Sequence, residues 1–485
     1  MKRTNLRAAI VALALAAAAW SPATAKEIIP TPADTPVLGE LEPVLIKAIL
    51  GDDPEASLAA VAQQPELAAL LKKHHLELFS GPMLGCVTDT SARFWVRTIR
   101  PAKIQIELQS TQDDKQPVLQ SSLATTQADK DFTAVVEAVG LAPRTEYAYQ
   151  VLLDGKPMLP ERAVFRTAPA KGQPAQVQVA FGGGSRLVPE HEHIWDTIAK
   201  RRPDAFLFLG DNVYIDDPTH RSRQRLYYYR RQLRPEFRRM SAGCGVYAIW
   251  DDHDFGANDT QGGPDPFKPD WKLPVWKVFR ENWNNAYYGG GPEQPGCWFD
   301  FSIGDIDFFM TDGRYYREFK PQNGEPRTML GPVQKKWLLE KLKKSTATFK
   351  VIVSGTLWTE TADKGGRDSW WGAREEREEL FTLIDEQPIP GVILLSADRH
   401  RTDVYRIARP KGYDLFEFET SKLTNHHTHP TRPAAIFSYN EGNFYGLLTF
   451  NTELADPEVT FRCITIDDEE VYKLTLKRSQ LERAQ

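Results

Sequence analysis

An α/β fold preceded by a β-sandwich is the architecture this sequence predicts, and two changes of hydrophobic period point to it. Residues 26–79 carry apolar side chains at three- and four-residue spacing, as in ELEPVLIKAIL and PELAALLKKHH. From Gly81 to about Ala168 the period falls to two, in SARFWVRTI, AKIQIELQS, FTAVVEAVG, TEYAYQVLL and RAVFRTAP. After Lys171, continuous apolar runs alternate with amphipathic helical patterns. Such runs belong to strands buried on both faces.

Residues 1–25 open with Lys2, Arg3 and Arg7, continue with an apolar run from Ala8 to Trp20, and close on Ala23-Thr24-Ala25. This is the layout of a secretory signal peptide. The run is too short for a comfortable membrane span, and no later segment offers about 20 apolar residues. An exported bacterial protein, periplasmic or extracellular, with no transmembrane segment is expected. Residues 26–79 then read as a helical lead-in that packs on another part of the chain. Residues 80–169 read as the β-sandwich. There GLAPRTEYAYQV resembles fibronectin type III and immunoglobulin-like domains, and that resemblance puts Tyr147 at a tyrosine corner. The sandwich is expected to be a packing partner.

Composition narrows the class. Hydrophobic residues make up 41% of the chain and charged residues 26%, with a formal net charge of −5, so specific nucleic-acid binding is not expected. The four cysteines, Cys86, Cys244, Cys297 and Cys463, lack metal-type spacing and leave disulfide pairing open. HRSRQRLYYYRRQLRPEFRRM has Leu226, Tyr229, Leu233, Phe237 and Met240 at helical spacing, so most of its arginines are expected on a solvated helix face. The sequence leaves oligomeric state unspecified.

The polar residues of the α/β region, 175–480, gather at the ends of its apolar runs. FLFLG leads to Asp211 and Tyr214; VYAIW leads to Asp251, Asp252, His253, Asp254 and then Asn258; VILLSA leads to Asp398, Arg399 and His400. In open α/β sheets functional groups lie beyond the C-terminal ends of strands. Carboxylates, an amide, a phenol and imidazoles suit Ca²⁺, Mg²⁺, Mn²⁺ or Fe³⁺. Two cations sharing Asp211 could activate water and neutralise a phosphoester. VQVAFGGGSR ends another run in glycines. It lacks the Gly-Lys-Ser/Thr of a phosphate loop, and Leu187 stands where a dinucleotide loop needs glycine. Glycines placed there let a phosphate or a metal centre approach the backbone, with Ser185 and Arg186 expected to line the cleft together with Arg399 and with His426, His427 and His429 of TNHHTHP.

Taken together, FLGDNVY, IWDDHD with Asn258, TDGRYYR, GPVQKKWL and LSADRHR resemble the alkaline phosphatase D (PhoD-like) family of metallophosphoesterases. The resemblance implies a two-sheet α/β core from about Val177 onward, phosphomonoesterase or phosphodiesterase activity, and a centre of iron with calcium. It implies that Asp211 is the shared metal ligand, that Tyr214 binds iron as phenolate, and that Asp398 and His400 are ligands although Ala397 replaces the family's glycine. Asp252 or Asn258 would complete the second metal's shell. His253 would either protonate the leaving group or orient Asp252. Gly184 takes the place of the family's cysteine ligand, which counts against tightly held iron. The substrate expected is a small-molecule or lipid-derived phosphoester. Lys2-Arg3 lacks the arginine pair of twin-arginine export and favours the general secretory route. The competing reading is a non-catalytic phosphoester- or glycan-binding surface protein on the same scaffold.

Overall fold

The computed structural model describes residues 28–112, 117–321, 324–361, 364–387 and 389–483; the signal-peptide reading of residues 1–25 lies outside them. Two sheets form the α/β part. One has the strand order Gly245–Ile249, Ala205–Leu209, Gln176–Gly182, Phe444–Asn451, Glu458–Thr465, Glu470–Lys477. Its first three strands are parallel and the rest antiparallel. The other runs Phe299–Ile303, Ile306–Met310, Phe349–Val353, Val392–Ser396, Leu415–Thr420, Thr402–Ile407, Phe437–Tyr439, with a parallel block of four from Ile306–Met310 to Leu415–Thr420.

The buried faces meet through aromatics. Phe418 of the second sheet stacks on Phe461 of the first at 4.5 Å, and Phe450 touches Phe308 and Phe349 at 6.3 and 5.4 Å. Each fully buried phenylalanine contributes about 2 kcal/mol of transfer free energy. The run AFLFL is buried at every position because Trp195 covers Phe206 and Phe208 from the side away from the sheet partner. A continuous apolar run, rather than an alternating one, follows from two covered faces.

The two sheets are joined at the C-terminal ends of their parallel strands. Gly183 and Ser421 form a parallel bridge; Gly183 N donates to Thr420 O at 3.1 Å, and Lys422 N and Leu423 N return to Gly183 O at 3.0 Å each. A Cβ on Gly183 would stand 2.7 Å from the Ala397 Cβ, and one on Gly184 would stand 2.9 Å from Lys422 N, with Gly184 at φ +67°. Only glycine fits an approach this close at that backbone angle. The glycine run is therefore a seam between sheets.

Ahead of this core lie a three-stranded sheet (Leu78–Gly85, Ser91–Thr98, Thr133–Val139) and a second sheet centred on Lys103–Ser110 and Glu146–Leu153. Both contribute to one apolar cluster that includes Phe94, Ile104, Val136, Tyr149 and Phe165. The hydroxyl of Tyr147 accepts a hydrogen bond from Ala142 N at 2.9 Å. Helices Leu38–Ile49 and Pro65–Lys73 bury Leu41, Leu45, Leu67 and Leu71 against Leu226 and Tyr229 of helix Arg221–Leu233.

That last helix corrects the reading of its arginines as a solvated face. It is covered from two sides, so Arg230 and Arg231 are buried. Arg230 pairs with buried Glu42, and Arg231 pairs with buried Glu192 at 2.7 Å. A buried guanidinium must find a carboxylate, and both partners are distant in sequence. The four cysteines are unpaired thiols, three of them buried. Among the described residues no helix is long and apolar enough to cross a membrane.

Candidate metal centre

The strand Ala205–Leu209 delivers Asp211, and the strand Val392–Ser396 delivers Asp398 and His400. All three residues have left-handed backbones, at φ 54°, 85° and 46°. Non-glycine residues held there cost free energy and cluster at functional sites. Asp254 fixes the first turn: its carboxylate accepts from Asn212 N at 3.0 Å, Val213 N at 3.0 Å and Asp251 N at 3.1 Å. Two strand-end loops are thereby locked together. Burial, with the charge of Asp211, pushes the Asp254 carboxyl up to about 8.

Around Asp211 the donors converge. Tyr214 donates its hydroxyl to Asp211 Oδ2 at 2.9 Å and lies 3.2 Å from His400 Nε2. His400 Nε2 is 3.8 Å from Asp211 Oδ2. Asn425, unmarked in the sequence, donates its amide to the Tyr214 hydroxyl at 2.7 Å. Tyr214, Asp211, His400 and Asn425 are all buried. Burial and the neighbouring Asp211 carboxylate push the Tyr214 phenol well above its ordinary range.

Asp252 links this group to a second. Asp211, Asp252 and His253 each offer an atom within 4.8 Å of the others, and so do Asp251, Asp252 and Asp398. A further set joins Asp252, Asp259 and Asp368. Asp259 N donates to Asp252 Oδ2 at 2.7 Å. Asn258, the sequence's candidate at this point, is exposed on the turn, and its neighbour Asp259 supplies the converging carboxylate. Asp368 also escaped the sequence reading; it lies in a loop with no apolar run before it. Arg314 of TDGRYYR grips Asp368 with two nitrogens at 2.7 and 3.0 Å and reaches Asp251 Oδ1 at 2.5 Å.

His253 sits at the edge of the centre. Its backbone N–H donates to Asp252 Oδ1 at 3.1 Å, and its ring lies over Tyr214 with centroids 4.5 Å apart. Nδ1 is 2.5 Å from Asp216 Oδ1. Burial lowers the basicity of this imidazole, but the carboxylates of Asp252, Asp211 and Asp216 outweigh burial and raise its pKa to about 9. Asp216 stands in the same GDNVYID run as Asp211, and only its position five residues on hinted at a role.

The remaining sequence candidates separate. Ser185 is buried, but its hydroxyl donates to the carbonyls of Asp211 and Asn212 at 3.3 and 3.0 Å, so it braces the loop. The Arg186 carbonyl accepts from Thr424 Oγ1 at 2.6 Å. Arg399 is buried. His427 and His429 come to His400, with ring centroids 5.2 and 5.7 Å away, whereas His426 is exposed and outside that group.

The donor set fits a cation. Oxygen and imidazole groups meet in a buried space where like-charged carboxylates need a counter-charge. Asp398 Oδ2 is a buried carboxylate oxygen with no hydrogen-bond donor, an acceptor that a cation would satisfy. Asp211, Tyr214, His400, Asp252 and Asp398 would hold it.

Strand-end carboxylates, a phenol and an imidazole on a two-sheet scaffold define the architecture of a metallophosphoesterase. The chain belongs to the PhoD-like phosphatase family, whose model matches residues 180–446. Residues 75–170 match a domain of unknown function, DUF7800. Alkaline phosphatase D of Bacillus subtilis (strain 168) is 26% identical over 312 residues, covering 55% of this chain and 52% of the relative. The chain thus spans about half the length of that curated relative. In three dimensions, a structure of PhoD matches with a TM-score of 0.68 at 16% identity, over 83% of this chain and 91% of the other. Purple acid phosphatase PPD1 from yellow lupin (Lupinus luteus) seeds matches with a TM-score of 0.58 at 12% identity, over 82% and 74%. At these identities both share the fold.

Proposed function

We propose that the chain is an exported, metal-dependent phosphoesterase that hydrolyses phosphomonoesters or phosphodiesters. The observation that carries this reading is the convergence of Asp211, Tyr214 and His400 from two sheets onto one point, with Asp252 beside them. A bound cation supplies Lewis acidity toward water and toward a phosphoryl oxygen. The protein groups do the rest. His253, its Nδ1 held by Asp216, carries a proton at Nε2 for the leaving-group oxygen. His427 and His429, beside His400 at the exposed edge, line the approach of the substrate.

By donor chemistry the carboxylates of the centre suit calcium and its phenol suits iron as the bound cation. The leader in residues 1–25 supports export to the periplasm or beyond. Residues 80–169 serve as an immunoglobulin-like packing module, a role the shared apolar core and the Tyr147 hydrogen bond favour. The deciding experiment compares Asp211→Ala with the parent protein on nitrophenyl mono- and diesters. Loss of turnover with an unchanged thermal transition supports the assignment; full activity in that variant overturns it.

A further inference from the structure

Beside the Asp211 centre lies a side chain that neither composition nor spacing had marked. Lys364 extends into the carboxylates of the second group. Its Nζ lies 2.7 Å from Asp368 Oδ2, 3.0 Å from Asp259 Oδ1 and 3.1 Å from Asp398 Oδ1. The side chain is only 14% exposed. An ammonium has three N–H donors, and here each has its own carboxylate. None is left for a substrate oxygen or a water.

The charge balance gives that arrangement meaning. Asp368 and Asp251 already face Arg314, and Asp368 faces Arg317 as well. Asp252 also lies 3.8 Å from Arg314, and Asp252, Asp259 and Asp398 fall in the two carboxylate sets that share Asp252. Carboxylates gathered around Asp252 in two overlapping sets are the kind of oxygen donors that take Ca²⁺ or Mn²⁺. Lys364 meets two of those three carboxylates, so a divalent ion there would have to displace the ammonium or sit against it. By contrast, Asp398 Oδ2 is without a donor and remains available on the side away from the contact between Lys364 Nζ and Asp398 Oδ1.

We propose that the Lys364 ammonium takes the place of a second metal ion, so that the centre holds one cation per chain. The inference rests on the metallophosphoesterase reading and refines it. Lys364 is a positioning residue: it neutralises Asp398 and Asp259 with one fixed charge, and it brings no exchangeable water. One cation at Asp211, Tyr214 and His400 then carries the Lewis-acid role alone, and the substrate meets a single inorganic charge flanked by His253.

The test is metal stoichiometry. The full-length mature protein is stripped with chelator, titrated with Mn²⁺ and separately with Ca²⁺ by calorimetry, and checked by elemental analysis after dialysis. One ion per chain is expected for the parent, and two for Lys364→Met, whose side chain leaves the carboxylates without their ammonium. Lys364→Arg keeps the charge and is expected to stay at one. Two ions in the parent overturn the inference and leave the phosphoesterase reading standing. No ion in the parent overturns the phosphoesterase reading itself. A folded Lys364→Met that still binds one ion overturns the inference; where that variant does not fold, Lys364→Gln and the parent stoichiometry decide.

Discussion

The Nδ1 of His253 lies 2.5 Å from Asp216 Oδ1, so a carboxylate occupies that ring nitrogen. A carboxylate on Nδ1 leaves the proton for transfer at Nε2 and stabilises the charged ring. Asp216→Asn removes that charge. Turnover of an alkyl or phenyl phosphoester, whose leaving group needs a proton, is expected to fall about a hundredfold. Turnover of a nitrophenyl ester, which leaves without one, is expected to change little. Equal losses on both substrates would remove His253 from the proton-donor role.

Tyr214 leads to a prediction about proton release. Its phenol is held neutral by burial and by Asp211, so binding a cation through the phenolate must expel a proton. Metal affinity of the parent is therefore expected to rise with pH. Tyr214→Phe is expected to weaken binding about 10- to 100-fold, by analogy with other ligand-shell losses, and to flatten that pH dependence. Calorimetry in two buffers of different ionisation enthalpy reads the released proton directly.

Gly184→Cys would restore a thiol where the family's pattern has one. At φ +67° its Cβ would lie 2.9 Å from Lys422 N and 3.2 Å from His400 Cδ2. Strain of about 1–3 kcal/mol is expected, so the variant should melt several degrees lower and bind metal no more tightly. A thiolate-to-metal absorption band with undiminished stability would contradict this.

Away from the centre, Glu281 Oε2 is buried without a hydrogen-bond donor, 3.8 Å from Arg225. Burial raises its carboxyl to about 7 against the opposing pull of Arg225. A raised pKa means that the folded state keeps its proton longer than the unfolded chain. The associated stability is present in full below about pH 4.5 and is lost as pH rises through 7. Glu281→Gln should reduce the fall in melting temperature between pH 5 and pH 8, by about 2 kcal/mol of stability at the upper end. An unchanged slope would show that Arg225 already compensates the charge.

What could be read from the chain divides by how the residues are delivered. Asp211, Asp252, His253, Asp398 and His400 follow continuous apolar runs, and a buried parallel strand places whatever follows it at one edge of a sheet. Asn425, Asp368 and Lys364 come from irregular loops, where no period announces direction. Their roles depend on contacts across dozens to hundreds of residues. The same limit misplaced Arg230 and Arg231: helical spacing identified the apolar stripe but could not reveal that Glu42 and Glu192 would be brought in to pair with them. Asn258 follows from motif alone, and the turn exposes it while its neighbour Asp259 meets Asp252.

The bridge between Gly183 and Ser421 has a mechanical consequence. Asp211 and Tyr214 ride on one sheet, while Asp398 and His400 ride on the other, so the donors straddle an internal joint. A slip of one residue along that joint moves one half by about 3.3 Å, comparable to the 3.2 Å between Tyr214 and His400. The tolerance of the centre is thus smaller than the smallest step the sheets can take. Cation affinity becomes a gauge of alignment between the two halves, and a substitution far away in the interlocking aromatics, such as Phe461 or Phe418, can alter it without touching a single donor.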